Sequence, residues 1–210
     1  MKFIYFHGSF GSPTENWFPV LKQNLEGMGQ NVIAPQFPVE DWDELTAKGP
    51  DYVVTSQTLE NWMRVFEAEV LPQIKAGEQL CFIGHSIAPV FILHIIAKHK
   101  LQLNSAIFVC PFLTDIGANI WQFDSVNGGF YQHSFDYAEL QRLIPVSYSV
   151  FSDNDPYVAQ SFSREFAAKL NSSPIIVKGG GHLGKSAGVT NFPLVLELCK
   201  TRLDFNLKSA

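Results

Sequence analysis

The sequence predicts an α/β fold, with a mostly or fully parallel sheet of about six strands and helices on both faces. Six short apolar, β-rich runs recur along the 210 residues: Lys2 to Phe6, Val32 to Ala34, Leu80 to Ile83, Ala106 to Val109, Val146 to Phe151 and Pro174 to Lys178. Such short apolar runs read as buried strands. The segments between them carry helical spacing and are long enough for crossover helices, the connection parallel strands require. The length suits one domain, residues 1–210, able to bury roughly 70% of the surface its unfolded chain exposes.

Composition narrows the function classes. A 46% hydrophobic, 17% charged chain with net charge −5 has the balance of a globular protein and the wrong sign for a phosphate-backbone binder, so nucleic acid is not an expected partner. The opening Met1 to Gly8 has too short an apolar run for a signal peptide, and no stretch is long enough to span a bilayer, so no membrane partner is expected. Of three cysteines, Cys81 and Cys110 sit in or at the end of apolar runs, where cysteine acts as a small core residue. An odd count used this way suits a reducing, cytoplasmic setting.

After the first strand, Ser12-Pro13-Thr14-Glu15 reads as a helix start, with Ser12 as cap, Pro13 in the first helical position and Glu15 closing a capping box; the helix should end near Gly27 to Gly29. A second helix carries Leu59, Trp62, Met63, Phe66 and Val70 on one face, and Pro72 ends or kinks it. Further helices are expected over Ile87 to His99, Tyr137 to Leu143, Gln160 to Leu170 and Phe192 to Leu203. Two links exceed a simple crossover, Phe37 to Ser56 and Pro111 to Phe135. The second, a small cap-like insert at about 111–135, is rich in aromatics and has little regular periodicity; its aromatics argue against disorder.

The chemistry centres on Gly84-His85-Ser86-Ile87-Ala88, a relaxed form of the nucleophile elbow Gly-x-Ser-x-Gly. Chance supplies such a pentapeptide in on the order of one chain in ten of this length, so the setting must decide. Ser86 falls on the turn between a strand and a helix, as the motif demands. A serine hydroxyl needs a base, and in this chain order the base comes last. His182, in Gly179-Gly180-Gly181-His182 directly after the last strand, is favoured over His133 in the insert. The orienting acid should follow the preceding strand, where Asp153 and Asp155 compete. A valine three residues on, Val158, favours Asp155 and leaves Asp153 as a turn residue. For an oxyanion hole, the candidates are the backbone N–H groups of Ile87 and of Ser9, the latter in the loop His7-Gly8-Ser9-Phe10-Gly11. Each of these groups lies just past the C-terminal end of a different strand, and in a parallel sheet those ends share one edge.

Together with Asn16-Trp17-Phe18-Pro19, Asp153-Asn154-Asp155-Pro156, Gly181-His182-Leu183 and Gly188 to Pro193, these motifs make most of the chain resemble the compact α/β hydrolases of the YdeN and retinoblastoma-binding-protein-nine family. The resemblance implies a three-layer α/β-hydrolase fold, a small cap, and a triad of Ser86, Asp155 and His182. Ala88 departs from the usual closing glycine, and Pro89 follows it. The expected reaction is acyl transfer to water on a small-molecule ester, with amides, thioesters and peptides requiring the same groups. No metal and no organic cofactor is needed. His7, Phe10, His85, Trp121 and Phe130 are the candidates for contact with substrate. The rival expectation is an interaction protein that kept this fold and lost turnover.

Overall fold

The computed structural model describes residues 1–117, 120–131 and 134–203. Its six strands are β1 (Lys2–Phe6), β2 (Asn31–Ile33), β3 (Leu80–His85), β4 (Ser105–Val109), β5 (Ser147–Ser152) and β6 (Ser173–Val177). They form one sheet in the order β2-β1-β3-β4-β5-β6, with every pairing parallel. The helices are α1 (Phe18–Gly27), α2 (Trp42–Lys48), α3 (Leu59–Val65), α4 (Ala88–His99), α5 (Trp121–Asn127), α6 (Tyr137–Leu143), α7 (Gln160–Leu170) and α8 (Pro193–Lys200).

Alternation along the strands divides the core into two layers, because successive side chains leave a strand on opposite faces. Phe3, Tyr5, Cys81, Ile83, Ile107 and Val109 pack with Phe18, Leu21 and Leu25 of α1 and Val195 and Cys199 of α8. Ile4, Phe6, Phe82, Ala106 and Phe108 face the other way, toward α3, α4, α6 and α7 through Trp62, Phe91, Leu140 and Phe166. The central strands β1, β3 and β4 are buried along their whole length. Their uninterrupted apolar reading therefore has the cause inferred from sequence.

Four boundaries differ from the sequence reading. The first helix begins at Phe18, not at Ser12: Ser12 Oγ instead accepts the Thr14 N–H at 3.2 Å in a local turn. Asn16 then takes the left-handed conformation, φ 54°, which a helix cannot pass through. Past Val65 the second helix widens into a π turn over Phe66–Val70 and tightens into a 3₁₀ turn at Leu71–Gln73. Pro72, which has no N–H to donate, sits at this break. Both long links hold a helix that the sequence reading lacked. In the first, Asp41 caps α2 by accepting the Glu44 N–H at 2.8 Å; the second contains α5 and a 3₁₀ turn at Gly128–Phe130. Each of these seven-residue helices carries only three apolar residues, too few to write a clear i, i+3, i+4 stripe.

Candidate active site

Ser86 occupies the turn from β3 into α4 with φ 64°, a left-handed conformation rare for a residue with a side chain. Its N–H donates to the Val109 carbonyl at 2.9 Å, which ties the turn to β4. Closeness of strand and helix depends on Gly84: a Cβ there would meet Pro89 N at 3.0 Å and Ala88 C at 3.1 Å, both backbone atoms. Ala88, in contrast, needs no glycine. It has ordinary helical φ, being absent from the positive-φ residues, and its methyl is fully buried in the core. Ala88 and Pro89 thus fit the elbow without disturbing it.

The loop after β1 packs directly on this turn. A Cβ on Gly8 would fall 2.9 Å from Ser86 Cβ, so only glycine permits the approach. His7 sets the orientation of the next peptide: its Nδ1–H donates to the Gly8 carbonyl at 2.8 Å, and its Nε2 accepts the Phe37 N–H at 3.0 Å. The Gly11 N–H also reaches the Gly8 carbonyl, at 3.2 Å. Because a trans peptide is planar with C=O and N–H opposed, holding the Gly8 oxygen on His7 turns the Ser9 N–H the opposite way. Among the described residues, no hydrogen bond engages the N–H of Ser9 or of Ile87. Ile87 also stands at the N-terminus of the twelve-residue α4, whose dipole favours negative charge.

Across the sheet edge, His182 Nδ1 lies 2.7 Å from Asp155 Oδ2. The other Asp155 oxygen accepts the N–H groups of Tyr157 at 2.9 Å and Val158 at 3.1 Å. Burial opposes ionisation of Asp155, but the His182 hydrogen bond and these backbone donors outweigh it and hold the carboxyl below its usual range. Asp153 has a different task. Ser152, Asp153 and Asn154 accept the N–H groups of Gly180, Gly179 and Gly181 at 2.9, 2.7 and 2.8 Å, building the loop that delivers His182. Trp17 Nε1–H and Asn16 Oδ1 bind the far side of that loop, at the Leu183 carbonyl (2.9 Å) and the Lys185 N–H (2.7 Å). The His182 ring lies between His85 and Tyr157, with centroids 4.8 and 5.1 Å away.

Ser86 and His182 open onto one narrow cavity, of about 10 Å³, walled by Phe112, Ile116, Phe123, Asn127, Tyr157 and Val158. Of the residues read as substrate contacts, four are placed elsewhere. His7 uses both ring nitrogens within the body, and burial lowers its pKa to about 4. His85 is buried, its Nε2–H donating to the His182 carbonyl at 2.9 Å; burial and the neighbouring His182 lower its pKa to about 3. Phe130 is fully buried against Trp62 and Phe91. Trp121 starts α5 but does not line the cavity, which Phe123 of the same helix does. Phe10 stays at the margin, edge-on to Phe123 and Trp42 at 5.7 and 5.0 Å. His133 lies outside the described residues. The wall residues Tyr157 and Val158 had a signal, since they lie two and three residues after Asp155; Asn127 and Phe123 had none beyond membership of the insert.

His85, Cys110 and His182 present donor atoms within 4.8 Å of one another, the one such grouping among the described residues. A cation there would compete with existing bonds, since His85 holds the His182 carbonyl and His182 holds Asp155. Burial and the Asp155 charge also push the Cys110 thiol well up, away from the thiolate a metal prefers. The donor set is therefore better suited to orienting His182 than to binding a metal.

A parallel α/β sheet carrying a serine on a strained strand-to-helix turn, with a carboxylate-bound histidine on the same edge, defines a serine hydrolase of the α/β-hydrolase class. Residues 3–201 match the serine hydrolase family, and the chain belongs to that family. It is 25% identical over 196 residues to YdeN of Bacillus subtilis, covering 91% of this chain and 90% of that protein. The crystal structure of the B. subtilis ydeN gene product superposes with a TM-score of 0.77 at 22% identity, covering 96% of this chain and 97% of the other. The fold is shared more distantly with Est1E of Butyrivibrio proteoclasticus, solved with ferulic acid bound (TM-score 0.64, 15% identity, 95% and 86% covered). A monoacylglycerol lipase of Paleococcus ferrophilus is similar in the same way (TM-score 0.63, 12% identity, 96% and 95% covered).

Proposed function

We propose that the protein is a carboxylesterase acting on small esters, with Ser86 as nucleophile, His182 as base and Asp155 as the residue that orients it. The observation that carries this reading is the 2.7 Å bond from His182 Nδ1 to Asp155, on a ring that opens onto the same cavity as Ser86. With Nδ1–H committed to the carboxylate, Nε2 keeps the lone pair that accepts a proton. His182 takes the Ser86 hydroxyl proton as Oγ attacks the ester carbonyl. The oxyanion is held by the Ser9 and Ile87 N–H groups. Collapse of the tetrahedral intermediate breaks the bond to the alkoxy oxygen, which leaves as the alcohol with the proton from His182. Water, deprotonated by His182, then attacks the acyl-enzyme, and the acid departs with Ser86 regenerated.

An uncharged acyl group is favoured by the walls. Phe112, Ile116, Phe123 and Val158 are apolar, and among the described residues no Lys or Arg lines the cavity, so a neutral acyl group fits better than an anion. The small volume favours short acyl chains. The test is hydrolysis of nitrophenyl esters from acetyl to hexanoyl. The expected result is turnover that declines with chain length and falls at least about a thousandfold in Ser86→Ala. Turnover unchanged by Ser86→Ala overturns the reading.

A further inference from the structure

We infer that Asn127, on the insert helix α5, is a positioning residue for the oxyanion loop, so that the insert is part of the catalytic apparatus as well as a wall of the pocket. This inference rests on the reading of Ser9 N–H as an oxyanion donor.

Asn127 is only 2% exposed and lies on the cavity that Ser86 and His182 share. Its Oδ1 accepts from Ser9 Oγ at 2.5 Å and from Gln57 Nε2 at 3.5 Å. Gln57, equally buried, turns its own Oε1 to the Phe10 N–H at 3.0 Å. Two consecutive residues of the loop are thereby fastened from outside, Ser9 by its side chain and Phe10 by its main chain, and both fastenings meet at one amide oxygen.

The loop has reason to need them. Phe10 adopts φ 54°, a conformation disfavoured for any residue with a Cβ, which persists only where the surroundings hold it. On the N-terminal side, His7 and Gly11 hold the Gly8 carbonyl. On the C-terminal side, nothing in β1 or α4 reaches Ser9 or Phe10; Gln57 and Asn127 do. The peptide that bears the Ser9 N–H is therefore clamped between two sets of bonds, one built into the sheet edge and one supplied by residues far along the chain. Rotation of that peptide by a few tens of degrees would turn the N–H away from the developing charge, whereas the ground-state ester hardly requires it. Loss of the Asn127 bond should accordingly appear in kcat and leave KM nearly unchanged.

The experiment compares wild type, Asn127→Ala, Ser9→Ala and the double variant on nitrophenyl acetate, with fluorophosphonate labelling rates and melting temperatures measured in parallel. Each single change is expected to lower kcat on the order of tenfold, the effect of one hydrogen bond, with KM within about twofold. Because both changes remove the same bond, the double variant should be no slower than the slower single one. Ser9→Ala reaches the bond from its other end and covers the case in which Asn127→Ala fails to fold. Ile116→Ala, a wall residue with no hydrogen bond or ring contact to the loop among the described residues, should instead move KM and acyl-length preference. If the singles keep kcat within twofold, or if their losses multiply in the double variant, the inference is overturned. If wild type itself neither labels nor turns over ester, it is the esterase reading that fails.

Discussion

Gly8 is where the two halves of the active site touch. Its missing Cβ lets the first loop lie against Ser86, and its carbonyl, held by His7, turns the Ser9 N–H. Gly8→Ala should therefore lower kcat on acetyl esters by two orders of magnitude or more, within about the range seen when an oxyanion donor is removed. Full activity in that variant would show that the loop does not sit on the nucleophile. At this scale, the residues of the proposed triad could be picked out as candidates because each is tied to a motif: Ser86 to a strand-to-helix turn, Asp155 to its spacing from Val158, His182 to a glycine loop after the last strand. Side-chain direction was not legible. His7 and His85 have the residue type of substrate contacts, yet each has backbone groups as its partners, and nothing in a sequence says which way an imidazole points.

Among the elements, α5 carries most of what the sequence did not reveal. Its apolar residues Trp121, Phe123 and Val126 fall two and three apart and form no i, i+3, i+4, i+7 stripe, so the insert read as an aromatic loop, and its aromatics could not be sorted into wall and packing. The helix sorts them: Phe123 faces the cavity, while Trp121 does not line it. Phe123→Ala is expected to shift the acyl-length optimum toward longer chains, and Trp121→Ala to leave it in place, as measured by kcat/KM across an acetyl-to-hexanoyl panel. The reverse pattern would mean that α5 is turned differently about its axis. The central strands were legible to within a residue or two because burial on both faces writes itself as an apolar run; the sequence reading of β2 and β6 as buried strands is corrected, since each pairs on one side only and is partly exposed, Ile176 by 45%. The onset of α1 was not, because Ser12-Pro13-Thr14-Glu15 is equally good chemistry for a turn, and the long-range bond from Asn16 to Lys185 stabilises the break that follows it.

For the molecule as a whole, the two buried histidines link the site to stability. Burial lowers the pKa of His7 to about 4 and of His85 to about 3, against 6.5 for the free group. The unfolded chain thus binds protons that the folded chain refuses, and stability falls as pH drops from about 6.5 toward those values, by an amount on the order of a few kcal/mol. Asp155, whose carboxyl is held low, acts in the same direction at the acid end of the range. Urea unfolding followed from pH 7.5 to 4.5 should show a midpoint constant above about pH 6.5 and falling steadily below it. A midpoint unchanged across the whole range would mean that these imidazoles are not buried as described. No helix among the described residues is long and apolar enough to cross a membrane.

The proposed reaction depends on one hydroxyl, Ser86 Oγ, which shares a cavity with the carboxylate-bound His182. Reaction with a fluorophosphonate, followed by proteolysis and mass spectrometry, tests it directly. One adduct on the peptide containing Ser86 is expected, slowed at least about a hundredfold in Asp155→Asn, where the orientation of His182 is lost, and absent in Ser86→Ala. A wild-type protein that remains unmodified, or an adduct that persists in Ser86→Ala, would contradict it.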